Sequence, residues 1–473
     1  MHFKTIIIAA ICLAVANKAV AQSTEKKISL QAAIDIAMAN NISLRQNDLL
    51  VESSLVNYNQ AKNNRLPVAS AAMNYGISSG RSIDPFTNSY INQRLSSSNG
   101  SLTASVPIFS GLRTKHSIQR EQFSYKASQM ESQQEKDNLR LSVILAFLQL
   151  FNNEDVLQQT KQQSLLTLKQ LERLKILNEQ GAIAPATYFD MQGQYAADQV
   201  AIVNASNELE NSKLDLARLM NIPYDSAIHA DRQGLDMTME FYAMPATAVY
   251  ATALQTLAMV KSADFRLSAA SRNIKVANAD RYPTLALFEQ LGTNYSSAAR
   301  SFQANNVVNL PSGDYVVVNG NKLPVITERT NYSDQKIPYF NQVENNISTY
   351  TGVSLRIPLF TAFQVKTNVS LARIQEKNAS LAAERTRVEL RQAIDQAYTG
   401  MIAAWNKHKI LAEQVTAFEQ SFRAAEIRFN LGALNSVEYL IVKNNLDRTN
   451  ISLTVARYEY LLRTKVLDFY QGR

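Results

Sequence analysis

Between residues 346 and 360 apolar and polar positions alternate. Ile347, Thr349, Thr351, Val353, Leu355, Ile357 and Leu359 fall on one face, and Asn346, Ser348, Tyr350, Gly352, Ser354 and Arg356 on the other. A period of two with one apolar face predicts a half-exposed strand. Leu102, Ala104, Val106 and Ile108 alternate in the same way with Ser101, Thr103 and Ser105. Each stretch runs into a long segment nearly free of helix breakers: Leu112 to Gln180 is 69 residues without Gly or Pro, and from Leu359 to Leu431 only Gly400 interrupts. Such runs predict helices that could reach roughly 100 Å at about 1.5 Å per residue. Gly181 and Gly432, which follow them, suit helix C-termini.

The two sets of elements are copies of one another. With an offset of 216, Arg45 to Pro67 lies over Lys261 to Pro283 and aligns Asp48 with Asp264, Ala61 with Ala277, Arg65 with Arg281, and the two prolines. With an offset of 251, Pro107 falls on Pro358, Phe109 on Phe360, Ala146-Phe147 on Ala397-Tyr398, Gly181-Ala182 on Gly432-Ala433, and Tyr188 on Tyr439. The offsets differ by 35 residues, all of them between the two anchor prolines of each copy. The second copy therefore carries one enlarged loop, roughly 297 to 345, in which Asn319-Gly320 predicts a small hairpin.

The expected order in each copy is a helix of about 24 residues stopped at Arg-x-Pro, two strands, a long helix and a return helix. The first repeat spans 22–225, with strands at about 68–79 and 99–109, a long helix at about 111–180 and a return helix at about 184–220. A linker covers 226–245. The second repeat spans 246–473, with strands at about 284–296 and 346–360, a long helix at about 362–431 and a return helix at about 435–470. The short and return helices together hold about 61 residues, enough to lie antiparallel along most of the long one.

The first 21 residues, MHFKTIIIAAICLAVANKAVA, combine Lys4, an apolar run from Ile6 to Ala16 and an Ala-Val-Ala ending. They predict a secretory signal peptide, since about 11 apolar residues are too few to span a bilayer. The only cysteine, Cys12, lies inside it, so the mature chain lacks disulfides, thiolate metal sites and a cysteine nucleophile. Losing Lys4 and Lys18 takes 48 basic residues to 46 against 40 acidic ones, a net charge of +6 spread along helical segments. That distribution predicts a solvated surface and no nucleic-acid partner. His2, His116, His229 and His408 are scattered, and no Gly-rich phosphate loop precedes a helix. No catalytic residue, metal or cofactor is expected. Glu154-Asp155 reads as a solvated helix face, and Trp405 as interface packing.

Strands of 10 to 12 residues match a tilted bilayer crossing with the apolar side outward. Four strands cannot close a barrel, and an open edge in lipid is costly, so several chains would have to share one. The alternation by itself also allows a soluble sheet packed on helices, within a periplasmic coiled-coil protein without a channel.

The exported start, the tandem repeat, "RLP" and "RYP" before a strand and "VPIFSG" and "IPLFTA" after one resemble the outer membrane efflux protein family typified by TolC. So do the sequences "ILNEQGAIAPATYF" and "RFNLGALNSVEYL", and the likeness runs from residue 28 to 470. It implies a mainly α fold with a small transmembrane β part: a homotrimeric twelve-stranded barrel in the outer membrane, continued by an α-helical tunnel through the periplasm. It also implies a periplasmic adaptor and an inner-membrane pump as partners, and a passive exit duct for efflux or type I secretion. The family narrows near the starts of its return helices, which makes Thr187, Asp190, Glu438 and Ile441 pore candidates. Only Asp190 and Glu438 are acidic here. Asn435 to Glu438 also fits a helix capping box, and Asp190 would complement a helix N-terminus. The segment ends, Gly181, Ala182, Ile183, Gly432, Ala433 and Leu434, are the adaptor-docking candidates. Pro67, Pro107, Phe109, Pro283, Pro358 and Phe360 mark the expected barrel-to-tunnel junction, with Pro107 and Pro358 ending strand pairing.

Overall fold

A computed structural model describes residues 26–83, 88–92, 94–232 and 238–472. The signal peptide lies outside these residues, as do positions 233–237 of the linker. The chain divides into two compact units. One comprises the described residues within Met1–Val56, Gln122–Ala269 and Gln375–Arg473, the other Asn57–Glu121 and Ala270–Ile374.

The first unit is helical. Strand β1 (Lys26–Ile28) leads into α1 (Leu30–Asn40), whose first turn is capped by Ser29, its hydroxyl accepting from the Ala32 N–H at 3.2 Å. Helix α2 (Ile42–Asn63) follows at once, and the corresponding pair in the second copy is α5 (Ala246–Thr256) and α6 (Ala258–Ala279). The expected 24-residue helices are thus 22-residue helices, each preceded by a separate helix of 11 residues. The breaks fall at Asn41 and Leu257, both with extended backbone. The long helices are α3 (Arg113–Glu179) and α8 (Gln364–Asn430), each of 67 residues, and the return helices are α4 (Pro185–Met220) and α9 (Ser436–Tyr470). Strand β6 (Ile228–Ala230), in the linker, pairs parallel with β1.

The core repeats in the same register as the sequence. One cluster contains Ala33, Ala37, Leu44, Leu139 and Val143. A second contains Val249, Ala253, Val260, Leu390 and Ile394, the same positions displaced by 216 and 251. No helix of the described residues is long and apolar enough to cross a membrane.

The second unit holds a four-stranded antiparallel sheet. Its strands are β2 (Val68–Ser78), β5 (Leu95–Ser110), β7 (Thr284–Ser296) and β10 (Ser348–Arg356), in the order β10-β7-β5-β2. Short strands β3 (Arg81–Ile83) and β4 (Tyr90–Asn92) pair in the first loop. The register separates two faces. Ser70, Thr103, Gln290 and Tyr350 align on one, as do Ala72, Ser101, Gly292 and Ser348. Ala71, Leu102, Leu291 and Thr349 align on the other, with Val106, Leu287 and Val353 beside them. The second face is apolar yet open, with Met73 at 70% and Val353 at 64% exposure.

Three strand expectations need correction. Pro107 does not end pairing: β5 continues to Ser110, and the register shifts between Pro107 and Phe109. Strand β2 stops at Val68 opposite Ser105, so Pro107 has one neighbouring strand only, where a residue without an N–H is tolerated at a bulge. The bulge leaves Ile108 unpaired and turns Phe109 toward the apolar face, opposite Leu285. In the second copy pairing does stop before Pro358, and the strand is nine residues long rather than running over 346–360. The enlarged loop holds a long hairpin, β8 (Arg300–Val318) and β9 (Asn321–Lys336), followed by α7 (Tyr339–Asn345). Its turn, Asn319-Gly320, has φ +48° and +82°, as a type I′ turn requires.

Each strand-to-long-helix turn uses two consecutive left-handed residues at matching positions. Gly111 and Leu112 have φ +60° and +65°, and Ala362 and Phe363 have +47° and +63°. The first turn is also tightly packed: a Cβ on Gly111 would lie 2.6 Å from the Ala279 carbonyl oxygen and 2.8 Å from the Tyr282 Cβ. Gly181 also has positive φ, +68°, but open space around it. Gly111→Ala should therefore combine left-handed strain of about 1–2 kcal/mol with an overpacking penalty of roughly 1–3 kcal/mol, whereas Gly181→Ala carries the strain alone. Thermal denaturation in detergent measures the difference, and equal losses for the two variants would contradict it.

Candidate functional site

The ends of the long helices are built alike. At the first, Gly181 donates its N–H to Asn178 at 3.0 Å and Ala182 to Leu177 at 2.8 Å. At the second, Gly432 donates to Phe429 at 3.0 Å and Ala433 to Arg428 at 2.8 Å. This pairing satisfies terminal carbonyls and needs a left-handed residue, which is why glycine stands at both positions. Pro185 then opens α4, and Asn435 caps α9 by accepting from the Glu438 N–H at 2.8 Å.

Of the pore candidates, Asp190, Glu438 and Ile441 are exposed and Thr187 is half-buried. Ser436 donates its hydroxyl to Asp190 at 2.7 Å, tying together the N-terminal ends of the two return helices. Among the docking candidates Gly181, Ala182, Gly432 and Ala433 are exposed. Ile183 and Leu434 instead pack on a cluster of Leu174, Met191, Phe429 and Tyr439. The Phe429 and Tyr439 rings stack at 4.4 Å, and burial pushes the Tyr439 hydroxyl up to about 12.

Behind this cluster lies a charged group that sequence reasoning did not single out. Lys443 on α9, only 4% exposed, lies 2.6 Å from an oxygen of Asp447 and 3.6 Å from one of Asp198 on α4. Asp198 also accepts from Thr167 on α3 and from Gln194 at 2.7 Å, and Gln163 on α3 donates to the Asp447 carbonyl at 3.2 Å. Three helices therefore meet around one ammonium and two carboxylates. Burial raises the Asp447 pKa from its ordinary value against the pull of Lys443, and the charge of Asp198 adds to the rise. The i,i+4 spacing of Lys443 and Asp447 is visible in the sequence, but their burial and the partner on α4 are not.

Glu154-Asp155 also departs from its reading as a solvated face. Both residues are half-buried, Arg232 reaches them at 3.5 and 2.5 Å, and Tyr458 donates to Asp155 at 2.6 Å. Burial, with the nearby Asp155 carboxylate, pushes the Tyr458 hydroxyl up. Trp405 packs between Phe241 and Tyr460, at 5.6 and 5.2 Å. Among the described residues no group of three or more His, Cys, Asp or Glu could hold a metal ion.

Known proteins share this organisation. Residues 33–221 and 249–473 match the family model for outer membrane efflux proteins. The chain is 25% identical to outer membrane protein TolC of Vibrio cholerae over 346 residues, 71% of this chain and 68% of that one. It is 21% identical to the Escherichia coli K12 protein of the same name over 432 residues, 90% and 78% of the two chains. Among solved structures CusC superposes with a TM-score of 0.75 at 15% identity, over 93% of this chain and 91% of CusC.

Lys443→Met would leave Asp198 and Asp447 buried without their cation, a loss of about 3–5 kcal/mol. Because the folded pKa of Asp447 is raised, the penalty of its charge is present above that pKa and falls away as pH drops through it. Melting curves should show a destabilisation that is largest at neutral pH and shrinks as pH falls through the raised pKa of Asp447. A loss independent of pH would mean that the lysine acts through packing alone.

Proposed function

Because the chain belongs to the outer membrane efflux protein family, and is thus an outer membrane efflux channel, we propose that it works as a homotrimer forming the passive exit duct of a tripartite efflux or type I secretion system. Three four-stranded sheets close one twelve-stranded barrel in the outer membrane. The helical unit stands in the periplasm, where the exposed turns at Gly181-Ala182 and Gly432-Ala433 meet a periplasmic adaptor bound to an inner-membrane pump. Asp190, Glu438, Thr187 and Ile441 border the pore near those turns, and the long hairpin of the second copy faces outward.

The observation that carries this reading is a sheet with an open apolar face and, among the described residues, two free edges, β2 and β10. In lipid each unpaired backbone group on such an edge costs several kcal/mol, so the edges must find strands. The repeat says which ones. Within the chain, the last strand of copy one, β5, pairs with the first strand of copy two, β7. Shifting β5 by 251 gives β10, and shifting β7 by 216 gives β2. The same contact then recurs between β10 of one chain and β2 of the next, and head-to-tail contacts of this kind close a ring. The internal pairs Ser105–Phe288, Thr103–Gln290, Ser101–Gly292 and Asn99–Asn294 become Arg356–Ala72, Ser354–Asn74, Gly352–Gly76 and Tyr350–Ser78 across the seam.

The mature chain contains no cysteine, so introduced pairs are free of background. Oxidised Tyr350→Cys/Ser78→Cys protein should run as covalent oligomers on denaturing gels. Tyr350→Cys/Ser70→Cys, out of register by about 26 Å, should not. Within one chain two strands separate positions 350 and 78, well beyond disulfide reach. Equal crosslinking of both pairs, or a protein released from membranes without detergent, would refute the shared barrel and favour the periplasmic coiled-coil alternative.

A further inference from the structure

Across β2, β5, β7 and β10 only two residues are charged, Glu289 and Arg356. They lie on opposite faces. Glu289 aligns with Ala104 and Thr351 on the apolar face. Arg356, opposite Thr284, continues the polar row of Ser348, Tyr350 and Ser354, at the end of the sheet next to the long-helix starts. Its side chain is exposed, and among the described residues no carboxylate lies within ion-pair distance of it. A cavity of about 330 Å³ there is lined by Arg113, Asp280, Tyr282, Thr284, Arg356 and Gln364, among others. Its one carboxylate, Asp280, is already held by the Arg113 Nη1 at 2.7 Å. The cavity therefore keeps a net positive charge.

We infer that Arg356 makes the barrel lumen selective for anionic solutes. The inference rests on the exit-duct reading, in which the polar face lines the lumen and three copies of Arg356 form a ring at its helix-proximal end. The first copy has Ser105 at the matching position, so the ring holds three cations rather than six. Twelve strands about 4.8 Å apart and tilted by about 40° enclose a backbone ring roughly 24 Å across. The axis is then about 12 Å from the wall, close to the Debye length of about 10 Å at 0.1 M salt. The field of the ring should fill the lumen at about 0.01 M, where that length is about 30 Å, and be screened out at 1 M, where it is about 3 Å.

Reversal potentials of purified protein in planar bilayers, under potassium chloride gradients, test this. Arg356→Gln should lower the chloride-to-potassium permeability ratio several-fold at about 0.01 M and leave it almost unchanged near 1 M. Arg356→Glu should lower it further, and Arg356→Lys should preserve it. Ser105→Arg, which enlarges the ring to six cations, should raise the ratio and provides a test independent of the loss variants. Glu289→Gln, on the outward face, should have no effect. Conducting channels whose selectivity ignores both Arg356→Gln and Ser105→Arg, or follows Glu289→Gln instead, would overturn the inference. Wild-type protein that never conducts would overturn the exit-duct reading, and this inference with it.

Discussion

Backbone polar groups at the edge of a sheet cannot be left unpaired in hydrocarbon, and this constraint connects the sheet to the assembly. Among the described residues, the sheet has an open apolar face and two edges with no strand partner. Neither is a defect if the edges meet across chains. The tandem repeat makes such a meeting economical, because the contact required between chains has the register already used between β5 and β7 within one chain. One interface geometry would then serve six times around a threefold ring.

The helical unit uses the same duplication with different chemistry. Ala33, Ala37, Leu139 and Val143 in one copy, and Val249, Ala253, Leu390 and Ile394 in the other, build equivalent cores. Away from these cores the copies diverge. At the glycine-turn end, Lys443 bridges Asp198 and Asp447, while the position 251 residues earlier holds Gln192. At the strand-to-helix turns, both copies hold the same pair of left-handed residues, but only the first needs glycine, because only there do Ala279 and Tyr282 press on the backbone. Duplication thus specifies backbone and core, and charge and side-chain volume distinguish the two halves.

Such local differences bear on transport. A duct that makes and breaks no bonds discriminates through the field along its wall. The polar face of this sheet is made mostly of Ser, Thr, Asn, Gln and small residues, together with Val68, Leu95 and Pro107, aromatic Phe288 and Tyr350, whose rings lie 5.5 Å apart, and the single charge of Arg356. Two exposed acidic residues of the helical unit, Asp190 and Glu438, carry the opposite sign. On the proposed path a solute would pass both.

The sequence by itself determined the periodic and punctuated features: the two long helices, the glycine turns, the prolines before β2 and β7, the polar and apolar faces of β10, and the duplication. Each is legible because it depends on neighbours three, four or two residues away, or on a residue such as Gly or Pro whose backbone limits are its own. The tertiary structure decided what depends on distant residues. Pro107 stays within a strand because β2 ends at Val68, and the bulge that follows turns Phe109 toward Leu285. Lys443 is buried because a carboxylate 245 positions earlier in the chain packs against it, and Glu154-Asp155 leaves solvent because Arg232 and Tyr458 cover it. In each case the outcome depends on a partner whose distance along the chain carries no periodic signal.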